Sequence, residues 1–175
     1  MGIRFTKIKL KEQKIFIVWE KYEESTKAWD EYSLRCADPA LPSLYEAMKK
    51  LDHHIAVICE LPTTCEETIE ATGVSFTYGE DGRGCVITGK KLLKSNPAPM
   101  NLNTPYKVED PQEGMEDYAL SRECIDALRE LEDEAFAYIN GKRAQGNMFQ
   151  EEYPEALSEK LPETGTIPDQ TQIFH

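Results

Sequence analysis

The apolar residues change their repeat once, near Pro42, and that change restricts the fold more than any other feature of the chain. Before it, the residues read as strands. In IRFTKIKLK, Ile8 and Leu10 fall on one parity and Lys7, Lys9 and Lys11 on the other, the alternation of a half-buried strand. Glu12 and Gln13 suit a turn, and KIFIVWEKY then carries β-branched and aromatic residues on both parities, which predicts a second strand covered on both faces. A third strand is expected around Trp29, Tyr32, Leu34 and Cys36, ahead of the break at Asp38-Pro39. After Pro42 the repeat lengthens. Leu44, Met48, Leu51, Ile55, Ile58 and Cys59 recur at three and four, one apolar helix face that Pro62 ends. Ser43 with Glu46 three residues on fits a capping box.

Beyond a polar stretch, TTCEETIEATG, the segments VSFTY and CVITGKKLL flank GEDGRG and predict a β-hairpin. Residues 95–116 carry four prolines and no period, the composition of a linker or surface strap. Ser121 then caps an amphipathic helix whose stripe is Cys124, Ile125, Leu128, Leu131, Ala135, Tyr138 and Ile139, stopped by Gly141. The resulting expectation is an α+β chain. It has a β-β-β-α-β-β body over residues 1–94, OB-like barrel or related sandwich, because that element order is the one of a five-stranded Greek-key barrel. The linker, a helix over 117–141 and an acidic tail over 142–175 follow.

Charge divides along the same line. Residues 1–107 hold 15 basic and 15 acidic side chains, whereas residues 108–175 hold 5 and 17, so the whole net charge of −12 belongs to the C-terminal part. A neutral body with an acidic appendage is the simplest reading. The absence of an apolar run near 20 residues, and of an apolar leader in MGIRFTKIKLKEQK, argues against membrane insertion or export. Five cysteines without CxxC pairing suit a reducing compartment, so the expected location is cytoplasmic.

Motifs for catalysis are weak, and the chain is expected not to be an enzyme and to need no cofactor. Gly84 to Lys90 spells G-x-x-x-x-G-K, but Lys91 stands where a phosphate loop needs Ser or Thr, and the apolar residues inside it read as a strand. His53 and His54 are adjacent in a helix, so their rings diverge and no metal site is expected. Nucleic-acid binding has more behind it. Lys7, Lys9 and Lys11, beside Trp19, Trp29, Tyr32, Phe76 and Tyr78 on predicted strands, are the residue types that track phosphates and stack bases.

The C-terminal segment carries two copies of Q-x-x-[LIM]-F, Gln145 to Phe149 and Gln170 to Phe174. Both resemble the short peptide by which bacterial replication proteins dock into the DNA sliding clamp. In that family the glutamine bonds at a pocket rim while the last aliphatic and aromatic residues fill the pocket. The resemblance implies partner-binding roles for Gln145, Met148, Phe149, Gln170, Ile173 and Phe174.

Over about residues 3 to 149, the segments IKLKEQKIFIVWE, GVSFTYGEDGRGCVITGKK, LNTPYK and KRAQGNMF together resemble prophage-encoded proteins of low-GC Gram-positive bacteria that accompany recombination and replication genes. The architecture is also similar to phage single-strand-binding proteins, which join an OB body to an acidic tail ending in a recruiting peptide. These likenesses imply a phage accessory factor for DNA replication or recombination in the cytoplasm of a bacterial host. Such a factor would bind single-stranded DNA weakly and recruit the clamp or another replication protein through its tail; a homo-oligomer is compatible with the sequence. The alternative is a phage counter-defence or host-takeover protein that sequesters a host protein or small ligand.

Overall fold

A computed structural model describes residues 2–11, 14–80 and 82–144. The first three strands are β1 (Ile3–Lys11), β2 (Lys14–Glu23) and β3 (Ala28–Cys36). Two consecutive helices follow, α1 (Pro42–Lys49) and α2 (Leu51–Ile58), then β4 (Ile69–Gly79), β5 (Gly82–Lys91), β6 (Met100–Asn103), β7 (Lys107–Val108) and α3 (Arg122–Ile139). All strand pairings are antiparallel, in the order β3-β2-β1-β4-β5-β6, with the two-residue β7 also on β5.

The chain is therefore α+β, as expected, but its sheet is open. The OB-like barrel is incorrect: β3 and β6 end the sheet and do not pair with each other. The helices explain the layering. Leu44, Met48, Leu51 and Ile55 of α1 and α2 share one buried cluster with Ile8, Ile15 and Ile17 of the sheet and with Leu128, Leu131 and Tyr138 of α3. A sheet backed by helices on one face buries its apolar side without closing on itself.

Local chemistry sets the element ends. Pro42 occupies the first turn of α1 and Leu41 is its N-cap, so the expected Ser43 capping box does not form. The Ser43 hydroxyl instead donates to Glu134 of α3 at 2.6 Å. Lys50 has helical backbone angles and joins α1 to α2, which keeps the predicted stripe continuous. The pair ends at Glu60, whose φ of 54° lets Leu61 donate back to Ala56 at 2.9 Å, two residues before the expected stop at Pro62. For α3 the expected Ser121 cap and Gly141 stop are observed, and the helix begins at Arg122 rather than at residue 117. Cys124 N–H donates to Ser121 Oγ at 3.2 Å, and Gly141 has a φ of +95°.

Three segments differ from expectation. Residues 63–68, read as polar connection, form a 3-10 turn, and β4 starts at Ile69 rather than near Val74. The β4–β5 turn falls between paired Gly79 and Gly82, so Arg83 and Gly84 belong to β5. The proline-rich strap contributes β6 and β7, and Thr104 fixes it: its Oγ1 accepts from Ile87 N–H and its own N–H donates to Ile87 O, both at 3.0 Å. Nor is α3 an appendage. Cys124, Leu128, Leu131, Ala135 and Tyr138 are buried in the shared core, and Tyr138 donates to Asp38 O at 2.6 Å. The segment expected to begin the tail is tied down as well, since Arg143 pairs with Asp38 at 2.7 Å and Ala144 N–H donates to Pro39 O at 3.0 Å. Among the described residues no helix is long and apolar enough to cross a membrane.

Candidate nucleic-acid interface

Antiparallel register sorts the strand residues onto two faces, because paired residues point the same way and neighbours alternate. Ile8 pairs with Ile17 and with Val74, Ile15 with Cys36, and Ile17 with Leu34, which defines the helix-covered face. Lys7 pairs with Val18 and Ser75, Lys9 with Phe16 and Gly73, Lys11 with Lys14, and Phe16 with Arg35, all on the opposite face. The β1 bulge between Phe5 and Lys7 keeps Phe5 and Ile8 on the core side although they are three apart.

The three lysines of the sequence prediction thus share the helix-free face, but the five aromatic residues divide. Trp29 is on that face, 38% exposed, paired with Tyr22 and meeting it edge-on at 5.4 Å. The Arg4 guanidinium covers its ring at 3.9 Å and itself pairs with Glu20. Trp19 and Tyr32 pair on the helix-bearing side and stack, centroids 5.9 Å apart and planes 16° apart. Phe76 is core, 5% exposed, with Arg83 stacked on it at 4.4 Å. Tyr78 donates to Phe5 O at 2.8 Å, across the opening where the N-terminal half of β1 no longer pairs with β4. Burial pushes its hydroxyl up to about 12, so it remains a donor at neutral pH.

Other residues complete the helix-free face. Phe16 is half-buried there, with the Arg35 guanidinium 5.3 Å from its ring. Lys14, Arg35 and Lys90 join Lys7, Lys9 and Lys11 as cations; Glu31 and Glu70 are acids of the same face, and Glu70 is paired with Lys90 at 2.8 Å. Tyr106, 41% exposed, lies over Gly84, and that close approach accounts for the glycine. Gly89 is likewise explained by packing: a Cβ there would meet Ile55 Cδ1 at 2.7 Å and Glu70 O at 2.8 Å. The G-x-x-x-x-G-K spelling therefore marks a strand with two tight crossings rather than a phosphate loop. The sequence carried one usable sign of Phe16, its shared parity with Lys14; the matching of Arg35 to it depends on strand pairing.

Titratable groups elsewhere are occupied structurally. His53 and His54 meet edge-on at 5.5 Å, His53 lies 3.2 Å from Glu66, and partial burial, then the His53 charge, pulls His54 down. Among the described residues no cluster of three His, Cys, Asp or Glu side chains is placed to hold a metal ion. Burial pushes Cys85 up to about 12 and Cys124 to about 11, so both are thiols packed in the core.

Gln145, Met148, Phe149, Gln170, Ile173 and Phe174, the residues singled out for partner binding, lie outside the described residues, as do Glu12 and Gln13. No protein-family model, curated protein or solved structure matches the chain, so the assignment of a role rests on the geometry above.

Proposed function

We propose that the chain is a non-catalytic accessory factor of phage DNA replication or recombination, and that it receives single-stranded nucleic acid across the helix-free face of its sheet. The supporting observation is the distribution of charge. Lys7, Lys9, Lys11, Lys14 and Arg35 crowd the β1–β2–β3 part of that face around Phe16, while α3 presents Glu123, Asp126, Glu130 and Asp133 on the helix layer. An anionic strand is drawn to the first surface and repelled by the second, even though the chain as a whole is acidic. Open sheets with an uncovered face suit extended strands, whose bases splay onto the sheet while phosphates follow the cations.

The acidic face of α3 is the observation that favours the alternative, a host-takeover protein that uses this face against a basic partner. Fluorescence anisotropy with a labelled oligothymidylate separates the two. The expected result is weak binding at about 50 mM salt that falls as salt rises. Lys7→Glu with Lys9→Glu should remove it, whereas Asp126→Lys with Asp133→Lys should leave it unchanged or tighter. Loss of binding only in the α3 variant, or none at low salt in the unaltered protein, overturns the sheet-face reading.

A further inference from the structure

The pairing of β1 with β4 ends at Lys9 and Gly73, and beyond it the two strands part. The wedge between them opens a cleft of about 920 Å³, the size range of small-molecule sites. Leu10, Met48 and Leu102 give it an apolar lining with the Tyr45 ring beside them, and Thr72, Thr88, Asn101 and Asn103 add hydroxyl and amide groups. Lys9, Lys11 and Lys49 also line it, and among the described residues none of the three is ion-paired or hydrogen-bonded. Two acids also line it: Asp52 accepts Ala71 N–H at 2.6 Å and feels the nearby charge of Lys49, and Glu70 pairs with Lys90 at 2.8 Å, so four lysines face two carboxylates.

We infer that this cleft binds a phosphomonoester of nucleotide size, with its phosphate held by Lys9, Lys11 and Lys49 and its base against Tyr45 and the apolar lining. Four lysines against two carboxylates leave an excess of two positive charges, and a phosphomonoester brings nearly two negative charges and three acceptor oxygens. The hydroxyls and amides suit the sugar and base edges. Lys9 and Lys11 belong to the cleft and to the helix-free face alike, so a strand crossing the sheet can deliver its phosphorylated end here. The phosphate thus has two sources, a free mononucleotide or the 5′ end of a strand, and only the second rests on the function proposed above.

The test uses the full chain with a 3′-labelled oligothymidylate carrying either a 5′-phosphate or a 5′-hydroxyl, and with thymidine 5′-monophosphate against thymidine in calorimetry. The 5′-phosphate should tighten binding about tenfold, the worth of one good charge-assisted contact. Lys49→Glu, a cleft residue away from the sheet face, should abolish that preference; Asn101→Asp serves as the second cleft variant. Lys7→Glu, on the sheet face outside the cleft, should weaken both oligonucleotides equally. Heat from the mononucleotide without binding of either oligonucleotide keeps the cleft and removes the sheet-face reading. Equal affinity for the two oligonucleotides together with no heat from the mononucleotide overturns the inference.

Discussion

Asp52 carries a structural task that its place in an amphipathic helix does not announce. The register of β4 against β5 shifts between Ala71 and Gly73, and β1 pairs with β4 only as far as Gly73; beside that irregularity the Asp52 carboxylate accepts Ala71 N–H at 2.6 Å. Desolvation is the larger influence on Asp52 and raises it, ahead of the Ala71 hydrogen bond that lowers it. Holding that carboxylate ionised therefore carries an energetic cost. Asp52→Asn keeps an acceptor and sheds the charge, so chemical denaturation should find it as stable as the unaltered protein or more so. Asp52→Ala strands the N–H and should lose about 1–3 kcal/mol. Equal losses in the two variants would remove the capping role.

Arg83 gives the opposite case. It lies between Glu109, whose Oε1 is 3.2 Å from Nε, and Glu132 of α3, all three largely buried. Burial is again the main influence on Glu132 and raises it, with Arg83 acting to lower it. Arg83→Ala leaves two carboxylates facing each other without a cation, a change that costs about 3–5 kcal/mol when a buried pair loses one partner. A carboxyl raised in the fold binds protons more tightly there than in the unfolded chain. The stability it withholds returns as pH falls from its raised value toward its ordinary range. The deficit of Arg83→Ala should thus be largest near neutral pH and shrink on acidification. Urea titrations of both proteins at two pH values check it, and a deficit independent of pH contradicts it.

At the level of elements, the features written locally were legible. Ser121, Gly141 and the stripe between them gave α3 both its ends and its buried face, because caps and periodicity act within one or two turns. Elements whose evidence is long-range were not. The residues of β6, MNLN, alternate apolar and polar over only four positions inside a proline-rich stretch, too short a run to read as a strand; Lys90 and Thr88 of β5 pair with Asn101 and Asn103 to make it one. Glu70 and Thr72 hid the start of β4 in the same way. The place of α3 was also beyond local pattern, since an apolar stripe does not say what it packs on. Leu128, fully buried in the core shared with α1, α2 and the sheet, tests that place. Leu128→Ala should lower stability by about 2–5 kcal/mol in one cooperative transition recorded by helix and aromatic signals together. A separate early transition of helix alone would mean that α3 unfolds independently.

For the molecule as a whole, the open sheet changes how the sequence clues combine. A barrel would have curled the lysines of β1 around a mouth; the open sheet places them on one face with Phe16 and Arg35 and puts Phe76 and Tyr78 on the helix-covered side. Aromatic residue type was therefore a poor guide to which side chains share the helix-free face, since parity and not type decides it. Charge was a better guide to that face, because ammonium groups stay on the water side of a sheet, as Lys7, Lys9 and Lys11 do here.

On the function proposed above, the acidic C-terminal segment would meet a protein rather than DNA. Phe149 and Phe174 are large apolar residues in a stretch rich in Glu and Pro that has few others with which to bury them, so entering a partner's pocket is how each gains most. The glutamine four positions earlier in each copy adds an orienting hydrogen bond, and neighbouring carboxylates steer the peptide to a basic rim. Two linked copies raise each other's local concentration, which predicts a graded loss: Phe149→Ala or Phe174→Ala alone should weaken binding to a purified bacterial sliding clamp, and the double variant should abolish it. Calorimetry on the full chain measures both. Full binding in the double variant would place the contact elsewhere, and no heat from the unaltered protein at high micromolar concentration would remove the clamp as the partner while leaving the sheet face untouched.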